Sequence, residues 1–171
     1  MLNKRKSRQL AMQILFLWDA HGDADQDLAH RVLETGSDEA TVRTRAMSMA
    51  SGAWEMRQTT DQWLERLAPQ WPPRRQPGVD RSLLRLAVWE LTSIDTPPKV
   101  VLDEAIEMAK EFSTENSPAF INGVLDAVLR EKVALISGLP PATTVVPPRG
   151  TAEVAGNDMP ANPEQSPPVD H

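Results

Sequence analysis

The chain has 171 residues, of which 40 % are hydrophobic, enough for one packed core with part of the sequence left outside it. It has no cysteine, which excludes disulfides and thiolate metal sites and fits a reducing compartment. A net charge of −6 would exclude a polyanion partner only if it were evenly spread, yet Lys4, Arg5, Lys6 and Arg8 crowd five consecutive positions.

The absence of tyrosine and the abundance of Ala, Leu, Glu, Arg and Gln predict an all-α fold. The basic N-terminus leads straight into amphipathic sequence, without the apolar core of a signal peptide. No apolar run approaches the ~18 residues that a membrane span needs, so the expected location is cytoplasmic, with no membrane partner.

In chain order, Met1 to His21 reads as a helix whose core arc is Leu10, Ala11, Ile14, Leu15, Leu17 and Trp18. The opposite arc carries Arg5, Gln9, Met12 and Phe16, flanked by Lys6, Arg8 and Gln13. Guanidinium, amide and aromatic groups on one stripe suit single-stranded RNA, because phosphates pair with cations while bases stack or hydrogen-bond. An ordinary solvated face with Phe16 tucked under a neighbouring loop fits the same pattern equally well.

Gly22 breaks this helix, Asp23 is placed to cap a short second one, and Gly36 to end it. Ser37 then reads as the cap of a long pattern from Val42 to Leu67, with a bend expected at Gly52 or at Thr59–Thr60. His21 and His30 lack partners at metal spacing and read as surface histidines. The connection PQWPPRRQPG is rigid and extended, and its Arg74 and Arg75 are either RNA contacts or solubilising charges.

After Val79 the next helix buries Leu84, Ala87, Val88 and Leu91, with Leu83 and Ile94 beside them and Arg81, Arg85 and Trp89 on the other side. Asp80 sits in its first turn, where a carboxylate favours the dipole. Thr96-Pro97-Pro98 starts a helix with the stripe Val101, Ala105, Met108 and Phe112. Its Glu104 and Glu107 have no accompanying histidine, so they read as a solvated face and no metal is expected. Ser117-Pro118 opens the last helix, with Ile121, Val124, Leu125, Val128 and Leu129 inward and Phe120 as an exposed aromatic among Asn116, Ser117 and Asn122. From Ser137 onward prolines accumulate and large apolar residues almost vanish, which predicts a domain at 1–136 and a disordered tail at 137–171.

The stretches VDRSLLRLAVWEL, PPKVVLDEAIEMAKEF and SPAFINGVLDAVL follow one another in register, after KRKSRQLAMQILFLWD near the start. Over roughly residues 4–130 this series resembles the NusB family of bacterial transcription antitermination factors. The resemblance implies an all-α domain of about seven helices in two packed bundles. It implies binding of boxA RNA in ribosomal RNA leader transcripts, together with a small-subunit ribosomal protein that serves as Nus factor E. It further implies action on the elongating RNA polymerase complex, with no catalysis and no cofactor.

Carried over by position, the resemblance implies RNA contacts at Lys4, Arg5, Lys6, Arg8 and Gln13, and at Phe120 with Asn116, Ser117 and Asn122. It implies a protein-partner surface at Asp80, with Phe16 and Arg81. The basic cluster departs from the family in being partly lysine, which weakens any bidentate contact. Two rival functions share the fold. One is a helical adaptor that binds only protein. The other is an accessory domain like that of some ribosomal RNA methyltransferases, which a Rossmann-like domain would have to follow. Monomer and homodimer both fit the sequence.

Overall fold

In a computed structural model of the chain, which describes residues 2–138, the elements are α1 (Leu2–His21), α2 (Gln26–Gly36), α3 (Ala40–Glu55) and α4 (Arg57–Leu67), then a 3-10 turn at Pro73–Arg75, α5 (Gly78–Ser93), α6 (Pro98–Phe112) and α7 (Ser117–Ile136). No strand occurs among the described residues. The expected tail falls, from residue 139 on, outside them.

Local chemistry explains most of the boundaries. Gly22 ends α1 at φ +86°, a conformation that costs glycine nothing. The cap of α2 is Asp25 rather than the expected Asp23, and its carboxylate accepts the amide of Leu28 at 3.0 Å. Gly36 is still helical, with no left-handed turn; a Cβ there would lie 2.2 Å from Leu10 Cδ2, so glycine lets α2 approach α1. The residue preceding α3 is Glu39, and Ser37 Oγ accepts its amide instead of capping the helix itself. The long pattern breaks at Met56, between the two expected places, where one residue ends α3 and opens α4.

The first three helices form one bundle and α4–α7 the other. α5 belongs to both, touching α1, α3, α4, α6 and α7. That central position corrects the expected two-sided helix: Arg85 is buried along with Leu83, Leu84, Leu86, Ala87 and Val88. Conversely, Ile94 and Phe112, assigned to apolar stripes, are exposed at helix ends, while Met12 is buried despite its place on the polar arc. A helical wheel gives the direction of a side chain but not which neighbour covers it.

Arg85 is satisfied by Asp61 Oδ1 of α4 at 2.9 Å and by Asp19 Oδ1 of α1 at 2.8 Å. Asp19 also accepts from Arg81, whose Nε lies at 2.9 Å. Burial pushes the Asp19 carboxyl up, but the hydrogen bonds from Arg81 and Arg85 outweigh it and hold its pKa below the ordinary carboxylate value. A pKa lowered by folding means that the unfolded chain takes up the proton first as pH falls. The stabilisation is therefore complete above the usual carboxylate range and is lost as pH drops through the folded value. We expect the urea midpoint to fall below about pH 4. Asp19→Asn should lower stability at neutral pH and make this acid dependence shallower, as read by urea melts at several pH values.

Candidate nucleic-acid interface

The first two turns of α1 project Lys4, Arg5 and Lys6 into solvent. Lys4 and Lys6 carry no ion pair among the described residues, so both are available to a polyanion. Arg5 is engaged: its Nε donates to Glu104 Oε2 at 3.0 Å and its Nη2 to Glu104 Oε1 at 2.9 Å. The hydrogen bond to Glu104 and then its charge raise the Arg5 pKa, and the hydrogen bond from Arg5 in turn lowers that of Glu104.

Arg8 corrects the sequence reading. It is 5 % exposed and forms a fork with Glu90 of α5, Nε to Oε1 at 2.9 Å and Nη2 to Oε2 at 2.9 Å. Glu90 is itself 2 % exposed. Position 8 falls on the α1–α5 seam, where its guanidinium is buried and engaged by Glu90 rather than projecting into solvent as expected.

Gln13 is exposed, and with Lys6 and Phe16 it lines a groove of about 630 Å³ between α1 and α2. Val79 and Phe112 close one side of this groove, and Arg31 adds a cation to it. Phe16 is 41 % exposed and its ring rests on Gly78, where a Cβ would lie 2.8 Å from Cε2. The groove therefore holds two exposed aromatics, Phe16 and Phe112, in a rim of polar groups. A second groove of about 950 Å³ lies between α1, α3 and the start of α6, with Lys4, Arg45, Trp89, Ile94 and Val100 on its walls.

The start of α7 differs from the expectation in two ways. Phe120 is not an exposed aromatic but a core residue, 5 % exposed in the main hydrophobic cluster. Ser117 is fully buried, and its Oγ donates to Asp80 Oδ2 at 3.0 Å, with Ser113 donating to the other oxygen. Asp80 is fully buried too, so its carboxylate ties α5 to the α6–α7 junction and presents no surface to a partner. Arg81 is half-buried, held by Asp19 and by the carbonyl of Pro73 at 2.8 Å. Asn116 and Asn122 remain exposed.

The structure thus brings Lys6, Gln13, Phe16 and Phe112 together. It sets the Arg8–Glu90 contact and the Asp80–Ser117 contact ten positions apart along α5, about 15 Å at the helical rise. Phe112, Arg31 and Glu104 are the neighbours that the sequence reading missed. For Phe112 a signal existed, since it stands at the last position of its helix, where an apolar stripe often outruns the core.

The family model described as "NusB family" matches residues 5–130. A transcription antitermination protein NusB from Solibacter usitatus is 44 % identical over 133 residues, covering 77 % of this chain and 91 % of that protein. Among solved structures, NusB of T. maritima superposes with a TM-score of 0.65 at 34 % identity, covering 74 % of this chain and 90 % of its own. A crystal structure of antitermination factors NusB and NusE in complex with dsRNA matches with a TM-score of 0.69 at 25 % identity, covering 75 % and 97 %.

Two substitutions test the corrected assignments. Arg8→Ala strands the buried Glu90 carboxylate and should cost about 3–5 kcal/mol in denaturant melts. Phe120→Ala should likewise cost about 3–5 kcal/mol, the penalty of a core cavity. Near-wild-type stability in either variant would return that residue to the surface.

Proposed function

The chain belongs to the NusB family, and from that premise we propose that it is a transcription antitermination factor for ribosomal RNA operons. Lys4, Arg5 and Lys6 hold the phosphates of boxA-type RNA, with the Gln13 amide alongside. The Phe16–Phe112 groove receives the small-subunit ribosomal protein that serves as Nus factor E, and the complex joins the elongating RNA polymerase. The supporting observation is the charge layout: in an acidic protein Lys4 and Lys6 stand exposed at one end of α1, with no ion pair among the described residues. Solved relatives include one crystallised as NusB and NusE with dsRNA, which supports the same pairing of ligands. Asn116 and Asn122 are further candidates for base edges, as exposed amides near the start of α7. The reading calls for no catalytic step and no cofactor.

Phosphate neutralisation by cations makes the binding constant fall with salt, by about 0.7 in log–log slope per contact on a single strand. Alanine at Lys4, Arg5 and Lys6 together should therefore flatten the slope for boxA-type RNA by about 2. An unchanged slope would remove these residues from the interface. Phe16→Ala should weaken capture of the ribosomal protein by about 2 kcal/mol in calorimetry, as expected for an aromatic anchor, while leaving RNA binding by the chain alone intact.

A further inference from the structure

The side chain that occupies Arg5 is the most informative neighbour of this surface. α6 presents Glu104, Glu107 and Glu111 to Arg5, at i, i+3 and i+7 on one face. Lys110 occupies Glu107, with Nζ–Oε1 at 2.9 Å. Glu104 itself grips both donor edges of the Arg5 guanidinium, in the geometry that a phosphate would use. The Glu104 side chain is only 18 % exposed, whereas that of Arg5 is 47 % exposed, so a ligand reaches the arginine more readily than the acid.

We infer that Glu104 sets the affinity threshold of the RNA surface: it competes with phosphate for the Arg5 fork and so lowers the phosphate-driven binding common to every RNA. A phosphate contact carries no sequence information and adds equally to the affinity for every RNA. An intramolecular carboxylate that must be displaced before Arg5 can reach a phosphate subtracts from that common affinity. Base-edge contacts, such as those open to Gln13, are untouched by the competition. A loss shared by every RNA leaves the ratio of two affinities unchanged, but at a concentration that still saturates an RNA held by base contacts it leaves weaker RNAs unbound. Lys4 and Lys6, which form no ion pair among the described residues, supply the constant part of the attraction.

The inference rests on the reading that α1 meets RNA, and the test separates the two. Affinities for a boxA-type RNA and for an unrelated oligonucleotide of equal length are measured on the full chain by fluorescence anisotropy across a salt series. Six proteins are compared: wild type, Glu104→Gln, Arg5→Ala, the Glu104→Gln/Arg5→Ala double variant, Lys4→Ala and Lys6→Ala. Glu104→Gln should tighten both RNAs by about two- to five-fold, the range set by an exposed ion pair. In the Arg5→Ala background the same change should do nothing. If the gain persists without Arg5, Glu104 acts by general repulsion and the competition is overturned. If Glu104→Gln has no effect although Arg5→Ala weakens binding, the inference falls while the RNA surface stands. If neither Arg5→Ala nor Lys4→Ala and Lys6→Ala changes binding, the surface itself is wrong and the inference goes with it.

Discussion

Each ionised side chain that α5 buries is met by a partner on another helix, and the rest of the molecule is arranged to make that so. Asp80 accepts from Ser113 and Ser117 at the α6–α7 junction, Arg85 reaches Asp61 of α4 and Asp19 of α1, and Glu90 takes the fork of Arg8. A helix covered by five neighbours leaves Asp80, Arg85 and Glu90 little contact with water, so an unmatched charge would cost several kcal/mol. The polar contacts therefore fix how each helix is set against the central one, while the Leu, Val and Ala surfaces supply the bulk attraction.

This constraint divides the work of the N-terminal cations. Arg8 anchors α1 to α5 through Glu90, and one turn earlier the same helix leaves Lys4, Arg5 and Lys6 outside the seam. The anchored turn holds the exposed turn in place, so the charge is presented from a stiff helix rather than a loose arm. Farther along α1, the Asp19–Arg81 and Asp19–Arg85 contacts hold its C-terminal half against α5, and Phe16 lies over Gly78 between the two ties. The exposed aromatic groove is a product of that double fastening.

Helix positions were readable from apolar spacing, because amphipathic periodicity is a local property. The two bundles and the candidate roles of Lys4, Lys6, Gln13 and Phe16 followed from pattern and resemblance. The fates of Arg8, Asp80, Ser117 and Phe120 were not readable in the same way. Asp80 already had a sufficient local explanation in the helix dipole, and nothing nearby in sequence revealed that Ser113 and Ser117 would fold over it. Phe120 stands among polar residues in the chain, yet its side chain turns inward where neighbouring helices cover it. Burial of this kind is decided by contacts between residues dozens of positions apart, such as Arg8 with Glu90.

The central claim is that one arginine of the basic cluster is structural while its neighbours face the ligand. Nuclear magnetic resonance of the arginine Nε–H groups, with and without boxA-type RNA, tests this directly. Arg8 should show a slowly exchanging Nε–H that is unmoved by RNA, while that of Arg5 shifts as phosphate replaces Glu104. A shift or rapid exchange at Arg8 on RNA addition would mean that the clamp opens to the ligand, and would contradict the division between anchor and surface.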